Sequence, residues 1–216
     1  MIFTFVEISF ANAISGKTIV TGNKLEVRNG GNVIISKGNS KAIDDVNVIT
    51  ADKMTYNKKS SNLSASSNVK LLSKTQDNEP LEAYGEFAQY CINDEKGKIW
   101  GYNTVVKYFM QTSTLPLILN AQEIYVDRKQ TALSAYSNVE VITSSGTIYS
   151  DNAVFDKKTL SVVFRKDKKR PIADVLYESR KGLYEADEIV FYNSDDNKKI
   201  VMNGSVKGKI EMEDKK

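Results

Sequence analysis

The sequence predicts an all-β chain built from antiparallel hairpins, arranged as a sandwich, a jelly roll or a solenoid. Three observations carry that prediction. A short pattern recurs at intervals of 29 to 36 residues. Each copy alternates apolar and polar residues with period two and ends in a run of turn formers. No window shows convincing helical periodicity; the nearest is Glu79 to Tyr90, where Gly85 and the fit to the repeat favour a strand.

The best copies of the first strand are Ala51-Asp52-Lys53-Met54-Thr55-Tyr56, Ala121-Gln122-Glu123-Ile124-Tyr125-Val126 and Ala186-Asp187-Glu188-Ile189-Val190-Phe191. Weaker copies begin at Gly22, Gly85 and Ser150. Each has a small residue, two mostly polar residues, then apolar-x-apolar, which places the two apolar side chains on one face of a strand. Polar turns follow at 57–62, 93–97, 127–131, 156–158 and 193–197, rich in the Asn, Asp and Gly that tolerate left-handed backbone. The chain then returns. Leu63-Ser64-Ala65-Ser66-Ser67-Asn68-Val69-Lys70-Leu71 matches Leu133-Ser134-Ala135-Tyr136-Ser137-Asn138-Val139-Glu140-Val141 almost position for position. The small-residue–Asn pair before the Val predicts a bend or bulge. Five or six units give roughly a dozen strands.

Composition narrows the function. Among the 216 residues there is no His and a single Cys, Cys91, so the usual general base, the Ser-His and Cys-His nucleophile pairs, a thiolate cluster and an internal disulfide are all absent. An enzyme would need carboxylates, Lys or Tyr, and no spacing points to such a site. We expect a non-enzymatic protein without a cofactor or metal. Asp195-Asp196-Asn197 lacks the remaining ligand spacing of a calcium loop and, like Asp44-Asp45, reads as a turn. A net charge of +3 is too diffuse to imply nucleic acid. Residues 1–13 are apolar, interrupted by Glu7, and end in Ala11-Asn12-Ala13, the small-x-small pattern of a secretory cleavage site, although no basic n-region precedes them. They read as the remnant of a signal peptide on an exported protein, with residues 14–216 as one domain.

The pattern Ala-Asp-x-apolar-x-Tyr, turn, apolar-x-Ala-x-x-Asn-Val resembles the OstA-like repeat of the lipopolysaccharide transport proteins. Copies at 51–71 and 121–141 match best, with weaker support at 22–40, 85–107, 150–163 and 186–207. The family usually shows Gly-Asn-Val at the bend, where this chain has Ser67-Asn68-Val69, Ser137-Asn138-Val139 and Gly204-Ser205-Val206. The resemblance implies a half-open antiparallel β-jellyroll whose apolar groove holds the acyl chains of lipopolysaccharide. It also implies modules joined edge to edge as a bridge between inner and outer membranes. The soluble periplasmic, LptA-like component is the best match; the LptC-like component shares the fold but keeps a membrane anchor. The third kind of component carries an outer-membrane barrel that 216 residues cannot accommodate beside this domain.

On that resemblance the groove is lined by the inward repeat positions: Leu25, Val27, Met54, Tyr56, Leu63, Val69, Leu71, Ile124, Val126, Leu133, Val139, Val141, Phe155, Ile189 and Phe191. The plainer alternative is that they fill a closed sandwich core. The expected partners are lipopolysaccharide or a related acylated glycolipid, other OstA-like modules through edge-strand pairing, and further copies of this chain head to tail. The candidate edges are Thr18 to Val27 and Ile200 to Met212, where Lys207, Lys209, Lys215 and Lys216 would limit runaway pairing. The basic run Arg165 to Arg170 before Pro171 reads as a solvated loop, or as a contact for lipid phosphates at the groove mouth. Two other functions remain open: a carbohydrate-binding jellyroll, which needs aromatics such as Tyr84, Tyr102, Tyr108 and Tyr136 on one exposed face, and a structural cell-surface solenoid with a dry core.

Overall fold

Period-two alternation becomes strand after strand in the computed structural model, which describes residues 18–211 apart from 45–46, 76–77, 112–114, 128–131, 144, 178–179 and 195–196. Residues 1–17, with the predicted cleavage site, lie outside the described residues, as do Asp45, Asp195, Asp196, Met212, Lys215 and Lys216. The strands are β1 (Ile19–Thr21), β2 (Lys24–Arg28), β3 (Val33–Asp44), β4 (Asn47–Asn57), β5 (Asn62–Lys74), β6 (Pro80–Cys91), β7 (Lys96–Tyr108), β8 (Leu117–Asp127), β9 (Ala132–Thr143) and β10 (Gly146–Asp156). After them come β11 (Ser161–Arg165), β12 (Ile172–Tyr177), β13 (Arg180–Glu185), β14 (Glu188–Ser194), β15 (Asn197–Asn203) and β16 (Lys207–Glu211). Residues 80–90 of the window 79–90 lie in strand β6, as its glycine and repeat fit required. Every pairing is antiparallel, mostly between chain neighbours.

The predicted bend is the organising feature. In β5 the pair Ser67 and Asn68 has φ of 64° and 54°; in β9 Ser137 and Asn138 have 66° and 53°; in β3 Gly38 and Asn39 have 70° and 48°. These are successive left-handed residues, a conformation that costs an ordinary L-residue about 1–2 kcal/mol and that Gly and Asn bear best. The partner strand answers with a register shift at the same level, between Thr50 and Lys53 in β4 and between Asn120 and Glu123 in β8. Each bend turns its strand into a second layer. One layer contains β2, the early half of β3, the late half of β4, the early half of β5 and so on to β10, then β11, β14 and β15. The other contains β1, the complementary halves of β3 to β10, then β12, β13 and β16. Joined across the corners, the sixteen segments make twelve bent strands, close to the dozen expected.

The bends also correct the alternation. On β4 the buried apolar side chains are Ile49, Ala51, Met54 and Tyr56, with an odd step across the bulge. On β5 they are Leu63, Ala65 and Val69, where the two left-handed residues restore the inward face. Both halves of each strand therefore turn their apolar side to the same interior. The small first residue of each repeat sits in the corner, where the layers converge: Ala51, Ala121 and Ala186 are buried, and a Cβ on Gly22 would lie 2.1 Å from the Ser36 hydroxyl. The second residue caps the bend. Asp52 accepts from Asn68 Nδ2 at 2.8 Å, Asp151 from the backbone N–H groups of Lys168 and Lys169 at 3.2 and 2.8 Å, and Asp187 from the N–H of Ser205 at 3.1 Å. The Ala-Asp and Asn-Val signatures are thus two sides of one corner.

Candidate functional site

Between the layers lies an apolar cavity of about 90 Å³. One layer contributes Ile49, Val69, Leu71, Leu81, Ala83 and Tyr108; the other contributes Ala88, Tyr90, Ile99, Val126, Leu133 and Phe155. The space exists because the facing positions are small: Ala83, Ala88 and Gly97 stand where larger side chains would meet. Toward the C-terminal end Phe164, Ile189 and Phe191 take those places and the interior is closed, each being at most 1% exposed.

The predicted lining residues divide accordingly. Val69, Leu71, Val126, Leu133 and Phe155 border the cavity. Met54, Tyr56, Leu63, Ile124, Val139, Val141, Ile189 and Phe191 are buried in the continuous apolar core around it. Leu25 and Val27 belong to β2, in register with buried Ser36 and Ile34 on the inner face. Leu25 is half-buried, while Val27 is 50% exposed because β2 is the terminal strand and leaves that end of the interior uncovered. The opposite end is similar: Ile210 on β16 pairs with buried Gly182, so it faces inward, yet it is 57% exposed.

At the long mouth, a polar clasp that the sequence did not reveal joins the two layers. Glu79, in the β5–β6 turn, accepts from Lys157 Nζ at 2.9 Å, from the backbone N–H of Gln111 at 3.1 Å and from the hydroxyl of Tyr108. Lys157, in the β10–β11 turn, also donates to Thr75 Oγ1 at 3.2 Å. Burial pushes the Glu79 carboxyl up, but the hydrogen bonds from Tyr108, Lys157 and Gln111 and the charge of Lys157 outweigh it, and the net shift is down from 4.5. The Tyr108 ring packs edge-on against Phe155, centroids 5.4 Å apart, just inside the clasp. A mouth pinned at one place and an apolar interior behind it form a half-open groove.

Other features singled out from the sequence fall elsewhere. The run Arg165 to Arg170 joins β11 to β12 on the outer side of the corner, away from the mouth. Its Arg165 pairs with Glu188 at 3.0 Å and its Arg170 with Asp187 at 2.9 Å. Cys91 ends β6 and its thiol lies 3.2 Å from Asp94 Oδ2. The four tyrosines do not share a face: Tyr108 is in the core, Tyr84 lies on the outside of one layer and Tyr136 on the outside of the other. Trp100 stacks on Phe87 on that second outer face, centroids 5.7 Å apart. The terminal strands are edges: among the described residues β1 and β2 pair only with β3, β15 only with β14, and β16 only with β13. Among the described residues no helix is long and apolar enough to cross a membrane.

No protein-family profile matches the chain, and no curated protein matches it by sequence. Its structure is similar to that of LptH, the LptA-homologous periplasmic component of the lipopolysaccharide transport device of Pseudomonas aeruginosa. The similarity has a TM-score of 0.50 at 12% identity and covers 59% of this chain and 94% of that one. At that identity it is a likeness of fold, and the chain accordingly has the half-open antiparallel β-jellyroll of the LptA-like proteins.

Proposed function

We propose that this protein is a periplasmic carrier that holds the acyl chains of lipopolysaccharide, or of a related acylated glycolipid, in its inner groove. It passes them along a bridge of similar modules toward the outer membrane. The observation that carries this reading is the apolar cavity between the layers together with the uncovered inner faces at Val27 and Ile210. An inner face left uncovered on a terminal strand can continue into the interior of a neighbouring module.

The energetics favour a carrier over a store. Each methylene withdrawn from water is worth about 0.8 kcal/mol, so several fully enclosed acyl chains would not be released on a useful time scale. A shallow, half-open groove buries each chain in part. Spreading the layers around a cavity of about 90 Å³ consumes some of the binding energy. The terminal strands supply the second half of the activity. Backbone groups on β1, β2, β15 and β16 that point outward can pair with the edge of another module. Lys207 and Lys209, both exposed on β16, disfavour indiscriminate pairing. A contact between unlike edges does not close on itself and so builds a filament.

The test is competition for a fluorescent acyl probe bound to the full chain. Intact lipopolysaccharide is expected to displace the probe, and its deacylated sugar core is expected not to. Equal displacement by both, or by neither, contradicts the reading.

A further inference from the structure

We propose a second binding site, separate from the groove, on the outer side of the corner between β7 and β9, and that its ligand is a neutral oligosaccharide. A cleft of about 700 Å³ lies there, within the range of about 300–1,000 Å³ typical of small-molecule sites. It exists because β7 leaves its partner. Between the paired positions Trp100–Glu123 and Thr104–Ala121, β7 carries Gly101, Tyr102 and Asn103 while β8 carries only Gln122. Gly101 makes the excursion possible: its φ is +125°, and a Cβ there would lie 2.6 Å from the Cβ of Glu86.

Two chemistries meet in the cleft. The first is aromatic. Trp100 and Tyr102 line it, and Tyr102 is 82% exposed. Phe87 stacks behind Trp100, and the exposed pair Tyr125 and Tyr136, centroids 5.7 Å apart, extends the platform across β8 and β9. The second is a group of unspent amides. At the matching corner of the 51–71 repeat, Asn68 donates to Asp52. In the 121–141 repeat Gln122 replaces the aspartate, and that bond is not made. Gln122, Asn138 and, from β7, Asn103 are exposed in the cleft, and among the described residues none of the three has a side-chain hydrogen-bond partner.

A hexopyranose presents an apolar C–H face and a rim of hydroxyls. Ring stacking suits the face, and amides, which donate and accept at once, suit the rim. Two carboxylates border the cleft. Glu123 is held by Lys98 at 2.9 Å and by the Tyr125 hydroxyl at 3.1 Å, and Glu140 accepts from Asn120 at 2.8 Å. Lys98 offsets the charge of Glu123, whereas Glu140 is met, among the described residues, only by a neutral amide; Glu140 accepts hydroxyl hydrogen bonds but repels sugar acids and phosphates, so the fitting ligand is uncharged.

Trp100 is the chain's only tryptophan, so its fluorescence reports on this cleft alone. The full chain is titrated with maltohexaose, cellohexaose and chitohexaose, with an oligogalacturonate as the acidic control. Amide NMR shifts at Asn103, Gln122 and Asn138 are read in parallel. The expected result is a saturable change with at least one neutral oligosaccharide, none with the acidic one, and at least a tenfold weakening in Tyr102→Ala and in Gln122→Ala. Binding of the acyl probe in the groove should be unaltered in both variants. Dodecyl maltoside below micelle formation is the further arm: a response to it as well identifies a glycolipid headgroup, and no response identifies a free sugar chain. No saturable change with any of the three oligosaccharides, or binding retained in full by both variants, overturns the proposal.

Discussion

Replacing Lys157 with Met is expected to destabilise the protein by about 3 kcal/mol, read as a lower urea midpoint at unchanged slope. Lys157 and Glu79 are 14% and 10% exposed at the side chain, so their pairing is little screened by water. Removing one partner leaves the other charge desolvated, which costs about 3–5 kcal/mol in buried pairs. The lower end applies because Glu79 keeps its bonds from Tyr108 and from the N–H of Gln111. Glu79→Gln together with Lys157→Met removes both charges and should recover much of the loss; failure to do so would mean that the stem of Lys157, not its charge, supports the mouth. The pH dependence has a definite sign. The folded carboxyl titrates below 4.5, so its contribution is present above that pH and is lost as pH falls through the lower folded value. The advantage of wild type over Lys157→Met should therefore narrow below about pH 4.5. An advantage that stays constant to pH 3 would show that the pair is not the source of the stability.

Placing a carboxylate in the groove should have the largest effect on binding. Leu71 and Val126 reach the cavity from opposite layers and are half-buried, so Asp at either position meets the proposed acyl chain while remaining close to solvent in its absence. Leu71→Asp and Val126→Asp are each expected to weaken acyl-probe binding at least tenfold, about 1.4 kcal/mol. Tyr149→Asp, on the outer face of β10, should leave it unchanged. Undiminished binding in both groove variants, with the fold intact by circular dichroism, would move the lipid elsewhere.

The corners were legible in the sequence because the chemistry of a corner is local. Ser-Asn before Val marks two left-handed residues, Ala-Asp marks the small side chain and the acceptor opposite, and both lie within one hairpin. The inner face was legible for the same reason: Met54, Leu63, Ile124 and Phe191 all turn inward, as period two requires. Whether an inward side chain meets a partner or a space was not legible. Periodicity fixes a face, but the gap between layers depends on residues brought opposite by folding. Ala83 and Ala88 leave room, whereas Phe164 and Phe191 fill it. Val27 shows the same limit, since its exposure follows from its strand being last in the layer. The clasp left no trace in the pattern, because Glu79 and Lys157 sit in two polar turns that only the curl of the sheets brings together. Nor did the outer cleft, whose signal is a bond missing from one repeat and present in another.

Site-specific photo-cross-linking shows directly where the acyl chains lie. A benzophenone side chain is placed at Leu71, at Val126 or at Tyr149, and each full-length variant is irradiated with intact lipopolysaccharide. Cross-linked glycolipid is expected from positions 71 and 126, lost on deacylation, and none from 149. Capture from 149 at the same level as from the two inner positions would place the acyl chains outside the groove.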